Sequence, residues 1–184
     1  MTTTTPALEM NFCRRCGTPL SRTAKHAYIC TNGHTIYMSA TPGAGIFFVT
    51  ADNHVLLAVR KNEPYKGMLD VFGGFVDGEE SFEEAAVREL REELSLEPDD
   101  YEPLQYLMSA RGKYPYAGET NSYLAPLFWT RLTTERNIIP LDDVARIYSM
   151  PLHNADLAQI YTEDLREGVR RLQALFPHQL EEEK

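Results

Sequence analysis

Two apolar runs open the main body of the sequence, Ile46–Thr50 and Val55–Arg60, separated by Ala51-Asp52-Asn53-His54. The pattern predicts strand, turn, strand. Val71-Phe72 predicts a short strand that runs into Gly73-Gly74. Ser81, with Glu84 three residues on, is a capping-box signature. It predicts a helix that ends near Leu94–Ser95, ahead of Pro98. Tyr123–Leu132, rich in aromatic and apolar residues, predicts a further strand. Ala155–Phe176 predicts an amphipathic helix with a break near Tyr161-Thr162. Residues 10–40 carry every cysteine and few large apolar side chains, so they read as a small appended module. Thr41-Pro42-Gly43-Ala44-Gly45 reads as the linker or first turn into a main domain spanning 41–176. Residues 1–9 read as a disordered leader and 177–184 as a charged tail. Strands and helices mixed in this order predict an α/β or α+β sandwich.

Composition narrows the function classes. A chain of 184 residues with 43% hydrophobic content holds one domain of ordinary size, or one with a small appendage, and has enough apolar material for a core. Its formal charge is −9, from 18 basic and 27 acidic residues, which argues against a protein that coats nucleic-acid phosphates or binds anionic membrane. No apolar run approaches the roughly 18 residues of a membrane span. The first residues show no basic region followed by an apolar one. Three cysteines, all before residue 31, are not a disulfide framework. The expected compartment is cytoplasmic. The charge is uneven: residues 1–40 balance to +3, while residues 77–93 hold eight acids against two arginines.

Cys13-Arg-Arg-Cys16-Gly17 is a knuckle with metal-ligand spacing, and Cys30-Thr-Asn-Gly-His34 follows it. Zinc takes four soft or borderline ligands in a tetrahedron, and three Cys plus one His would close the site to water. A closed site is structural, and metal binding would supply much of the folding free energy of so small a module. The segment resembles a zinc ribbon. Gly33 stands where the second knuckle would have Cys, so the fourth ligand falls to His34, with His26 as the alternative.

The acid excess belongs to the helix. At about 100° per residue, Glu89, Glu92 and Glu93 share one face. Ala85 falls on that face one turn earlier and is expected to leave room there. Ala86, Leu90 and Leu94 form an adjoining apolar stripe for the core. Three carboxylates within one turn disfavour full ionisation unless cations neutralise them, and oxygen ligands select hard divalent ions such as Mg²⁺ or Mn²⁺.

Gly74, Glu80, Arg88, Glu89, Leu90, Glu92, Glu93 and Leu96 stand at the spacing of the Nudix box. The chain thus resembles Nudix hydrolases over roughly residues 41–176. Ser95 occupies a position where that family has Gly. The resemblance implies a Nudix α/β/α sandwich carrying the small N-terminal zinc ribbon, and these roles. Glu89, Glu92 and Glu93 bind Mg²⁺, joined by the backbone carbonyl of Gly74 or Gly73, and one carboxylate is available to orient or deprotonate water. Arg88 orients the carboxylates, and Glu80 pairs with Arg88 or supports the loop instead of binding metal directly. A catalytic base from a loop after the box is expected in some members; Glu119 is the nearest candidate and Glu135 the second. Water then cleaves a phosphoanhydride bond.

A ribbon ahead of such a domain is similar to the NADH pyrophosphatase and ADP-ribose pyrophosphatase groups. The Ser-Gln-Pro-Trp-Pro-Phe-Pro signature of the former is absent; Ser109–Glu119 occupies its place. Arg111 and Lys113 are candidates for phosphate contact, and Tyr114 and Tyr116 for base stacking. The expected substrate is a nucleotide-type small molecule: a nucleoside diphosphate linked to another moiety, such as ADP-ribose or NADH. Two other readings compete. One is a ligand-sensing or nucleic-acid-binding protein on a Nudix scaffold. The other is RNA-cap hydrolysis, with Arg14, Arg15, Arg22 and Lys25 of the ribbon holding RNA, which the net charge does not favour. No membrane partner is expected, and the resemblance allows a homodimer.

Overall fold

The structure, a computed structural model, describes residues 10–116, 118–133 and 138–177. The leader 1–9, the tail beyond 177 and Glu135 lie outside these residues. The chain forms two units, one of Met1–Thr41 with Gly112–Tyr123, the other of Pro42–Arg111 with Leu124–Lys184.

In the first unit, β1 (Leu20–Ala24), β2 (Ala27–Cys30) and β3 (Thr35–Tyr37) make an antiparallel sheet in that order. Its apolar cluster is small: Cys13, Cys30 and Ile36, with Met10 and Leu20 against them.

The larger sheet is built on β4 (Thr41–Val49), β5 (His54–Arg60), β6 (Leu69–Asp70), β7 (Phe72–Phe75), β8 (Gln105–Tyr116), β9 (Glu119–Thr130) and β10 (Val144–Pro151). Of these strands, Thr41, the end of β8 from Gly112 and the start of β9 up to Tyr123 are grouped with the first unit and the rest with the second. The order is β10-β5-β4-β9-β8, with β6 paired to β5 and β7 to β4. Two helices complete it, α1 (Phe82–Leu94) and α2 (Glu163–Leu175). The alternation of β4 assigns them to opposite faces. Ile46 and Phe48 join Phe72, Ala86, Leu90 and Leu94 of the α1 layer, and Phe48 packs edge-on to Phe72 and Tyr101. Phe47, between them, meets α2, where a Cβ on Gly168 would lie 2.8 Å from the Phe47 ring. This is the expected helix–sheet–helix sandwich.

Four expectations change. Thr41–Gly45 is the first half of β4. Its glycines answer a close approach instead of a turn: β7 pairs here with Ala44 opposite Gly74, and a Cβ on Gly45 would lie 2.8 Å from Leu127 and Val71. Ala85 leaves no room at the carboxylate face: although it projects between Glu89 and Glu92 on the helix wheel, one turn earlier it is fully buried in the core cluster. Ser109–Glu119 lies largely in β8, and Glu119 is the first residue of β9, not a loop residue. The C-terminal helix starts at Glu163, behind single 3₁₀ turns at Leu152–Asn154 and Leu157–Gln159, with Thr162 at its N-cap.

The Gly168 contact gives a test of this packing. Gly→Ala in an exposed helix interior stabilises by about 1 kcal/mol. Gly168→Ala is expected to destabilise instead, by about 1–3 kcal/mol, since the Phe47 ring is fully buried and has nowhere to move. Urea unfolding of the two proteins measures the sign.

Candidate active site

The acid-bearing helix is fixed at both ends. Glu84 N donates to Ser81 Oγ at 3.2 Å and Ser81 N donates to Glu84 Oε2 at 2.8 Å, the capping box expected from the sequence. At the other end Ser95 is left-handed, φ +52°, with its N–H donating to the Arg91 carbonyl. That conformation explains why the family pattern has Gly there, and Ser adopts it at some cost. Between the caps, the buried stripe of Ala86, Leu90 and Leu94 seats the helix against β7 and presents the carboxylates beside it.

Arg88 gathers that face. Its Nε donates to Glu80 Oε1 at 2.8 Å, its Nη1 to Glu89 Oε1 at 2.8 Å and Glu92 Oε2 at 3.0 Å, and its Nη2 to the Phe75 carbonyl at 2.9 Å. One guanidinium thus spaces two of the three carboxylates and ties them to the end of β7. Arg88 in turn holds Glu80 below the usual carboxylate range and is itself pushed up.

Glu93 is placed differently. It is buried, 5% exposed, and its Oε2 accepts from the Gly73 N–H at 2.9 Å. Gly73 has φ +126°, and a Cβ there would run into the Ala44 carbonyl. At Gly74 a Cβ would lie 2.5 Å from Glu89 Oε1. The glycine pair is what lets two carboxylates lie directly against the β7 backbone.

Burial pushes Glu93 well above its ordinary pKa, against the Gly73 hydrogen bond, and Glu89, Asp70 and Asp143 push the same way. Burial also raises Glu89, with Arg88 opposing and Glu92 and Asp142 reinforcing. These charges identify residues that sequence reasoning missed. Asp142 and Asp143 precede β10, and their loop is tied in by Leu141 N donating to the Glu93 carbonyl at 2.7 Å. Lys61 Nζ donates to the Asp142 carbonyl at 2.8 Å and Asn62 to Asp143 Oδ1 at 2.6 Å. Asp142 is held at φ +42°. The only advance signal was the paired acids themselves. Glu119, by contrast, is exposed in the hairpin segment grouped with the first unit, as is Lys113, and Tyr114 of the same segment is half-buried; Arg111, also exposed, closes a segment of the second. The charges that bear most on Glu89 and Glu93 do not include Glu119. The arrangement is an oxygen-rich cluster with more negative charge than its arginines neutralise, suited to hard divalent cations.

In the first unit, ligand atoms of Cys13, Cys16, Cys30 and His34 all lie within 4.8 Å of one another. Cys16 Sγ is 3.8 Å from Cys30 Sγ, and Cys13 Sγ 3.6 Å from His34 Nδ1. A zinc tetrahedron has edges of about 3.8 Å between sulfurs and about 3.6 Å between sulfur and nitrogen. The Thr18 hydroxyl and N–H bring the Cys16 thiol down to about 5, toward the ligating thiolate. His26, the alternative fourth ligand, stacks on Tyr37 instead.

Fold and site define a class: an α+β sandwich that presents a helix-borne carboxylate cluster beside a glycine-paired strand. The chain belongs to the NUDIX domain family, which matches residues 40–172. Among curated relatives, it is 50% identical over 50 residues to an ADP-ribose pyrophosphatase of Methanocaldococcus jannaschii, covering 27% of this chain and 30% of that one. It is 35% identical over 105 residues to the mitochondrial NAD(P)H pyrophosphatase of Homo sapiens, covering 56% and 29%. The chain thus matches under a third of the length of these relatives. In fold it is similar to a NUDIX hydrolase from Nitrosomonas europaea, with TM-score 0.67, 20% identity, and coverage of 92% of this chain and 94% of that one. Among the described residues no helix is long and apolar enough to cross a membrane.

The Glu93 environment predicts how metal-free stability depends on pH. A carboxyl whose folded pKa lies above the unfolded value near 4.5 binds more protons when folded, so stability falls as pH rises between the two values. Glu93→Gln removes that loss. Without divalent metal, the variant is expected to melt above wild type at pH 8, with the gap closing as pH falls toward 5. Added Mg²⁺ is expected to raise wild type more than the variant. Thermal unfolding across a pH series checks both.

Proposed function

We propose that this protein is a Mg²⁺-dependent hydrolase that cleaves the phosphoanhydride bond of a nucleoside diphosphate linked to another moiety, ADP-ribose or a dinucleotide such as NADH. The observation that carries the reading is the intact carboxylate set, with Glu89, Glu92 and Glu93 gathered at β7 and two of them spaced by Arg88. The printed activities of the two curated relatives, on ADP-ribose and NAD(P)H, support this substrate class.

The residues divide the work. Glu89, Glu92 and Glu93, with the Gly74 carbonyl, would hold the divalent ions. When bound, such ions polarise the diphosphate and make a water more acidic. Arg88 fixes the separation of Glu89 and Glu92 and excludes alternative rotamers. The buried Glu93 keeps its position through the Gly73 N–H. For the water's proton there are two acceptors, Asp142 by its influence on Glu89 and Glu119 by the family resemblance alone.

The test is a panel of ADP-ribose, NADH and related compounds incubated with Mg²⁺, with products identified. Release of a nucleoside monophosphate is expected, and Glu92→Gln or Glu93→Gln is expected to lower kcat by roughly 100-fold or more. No release from any compound, or unchanged rates in both variants, overturns the reading. Asp142→Asn and Glu119→Gln, compared over pH, separate the two proton acceptors.

For the first unit we propose a structural zinc on Cys13, Cys16, Cys30 and His34, closed to water and to substrate. Metal analysis is expected to find one zinc per chain, with the metal lost in Cys30→Ser and retained in His26→Ala. Retention in Cys30→Ser with loss in His26→Ala would reassign the site.

A further inference from the structure

The segment joining β5 to β6 carries an aromatic side chain in an unusual setting. Tyr65 is 37% exposed and sits at φ +66°. A bulky residue there is uncommon, and it persists only where its surroundings over-determine it. They do so here. Met68 N donates to the Tyr65 carbonyl at 3.0 Å, Gly67 N to the Arg60 carbonyl at 2.9 Å, and Arg60 Nε to the Pro64 carbonyl at 2.7 Å.

The ring is backed as firmly as the chain. Tyr65 lies against Tyr161 with centroids 4.8 Å apart and planes inclined by 34°. The Arg60 guanidinium lies 5.4 Å from the Tyr161 ring centroid. Arg60 Nη1 is 2.6 Å from Asp70 Oδ2, a partly buried pair, and Asp70 is one of the charges that acts on Glu93. The segment's start is tied to the acid loop as well, through Lys61 and Asn62 to Asp142 and Asp143. Arg60 thus joins Tyr161 to Asp70, and the adjacent Lys61 and Asn62 join the start of this segment to the acid loop whose charges act on Glu89 and Glu93.

A half-exposed ring, backed by a second ring and held by a fixed backbone, offers one preorganised π face. Nucleobases stack on such faces, and stacking needs no edge-reading hydrogen bonds. We propose that Tyr65 is the stacking platform for the base of the nucleotide whose diphosphate lies at the carboxylates, with Tyr161 and Arg60 positioning its ring. This rests on the diphosphate-hydrolase reading above. It makes Tyr65 a specificity determinant for nucleotides over simple diphosphates.

The test uses two non-hydrolysable probes that share a P–C–P unit and differ by the nucleoside: α,β-methylene-ADP and methylenediphosphonate. Binding to the Mg²⁺-loaded protein is measured by titration calorimetry. Wild type is expected to bind the nucleotide more tightly. Tyr65→Ala is expected to weaken the nucleotide roughly 10-fold or more and leave methylenediphosphonate unchanged, with Tyr65→Phe matching wild type on both. Should Tyr65→Ala unfold, Tyr65→Leu keeps the apolar bulk, lacks the π face and gives the same separation. The platform is overturned if Tyr65→Ala binds the nucleotide as wild type does, or weakens both probes alike. It is also overturned, with the metal-site reading left standing, if wild type binds both probes equally. If wild type binds neither, the hydrolase reading falls and the platform with it.

Discussion

The structure turns on one costly placement, a carboxylate buried at the edge of the core. Glu93 is 5% exposed, and its hydrogen-bond donor is a backbone N–H. Among the described residues no ion pair reaches it, whereas Glu89 and Glu92 both meet Arg88. Taking an ionised carboxylate out of water costs several kcal/mol unless charge is compensated. Much of the surrounding architecture follows from making that placement possible. The Leu90 and Leu94 stripe drags the residue inward, the capping box and Ser95 fix the helix register, and Gly73 brings the donor within reach. The positive φ of Gly73 in turn requires the close pairing of β7 on β4.

That dependency explains which parts were legible in the sequence. Spacing on a helix converts directly into shared faces, so Glu89, Glu92, Glu93, the capping box and the core stripe could be read from residue numbers alone. The Cys13, Cys16 and Cys30 spacing was equally readable, and that His34 lies beside those thiols while His26 stacks on Tyr37 needed the folded sheet. Contacts between distant segments carried no such code. Asp142 and Asp143 are held by hydrogen bonds from Lys61 and Asn62, some 80 positions away, and their loop is tied to α1 through Leu141 N and the Glu93 carbonyl. Glycine misled for a related reason. Thr41–Gly45 has a turn's composition, yet Gly43 and Gly45 serve a strand, because the space they leave is filled by β7 and Leu127. Ala85 shows the limit of the helix wheel itself: a position that falls between Glu89 and Glu92 in angle is, one turn earlier, inside the core.

Two arginines apportion the negative charge. Arg88 stands on the outer side, where its fork can be shared among Glu80, Glu89 and Glu92 at small desolvation cost. Arg60 stands inside and is committed to Asp70, so its charge is not available to Glu93. Burial still raises Asp70 despite that partner. Removing Asp70 would ease the repulsion at Glu93 but would orphan a mostly buried guanidinium, which is the more expensive error.

The remaining imbalance is therefore built in, not residual. Arg88 is divided among three acids and Arg60 is committed to Asp70, and the surplus is concentrated on Glu89 and Glu93, on which the charges of Asp142 and Asp143 also act. A fold in this state gains stability from whatever supplies positive charge at that point without needing a side chain to do so. Protons can, at low pH, by converting Glu93 to its neutral form. Divalent cations can at neutral pH, and they leave the carboxylates charged. The same electrostatics thus suit an ion that stays multiply charged near oxygen ligands, which is the ion the proposed diphosphate hydrolysis would require. Stability and function are coupled here through one unmet charge, and the helix register that creates it is the part of the molecule most plainly written in its sequence.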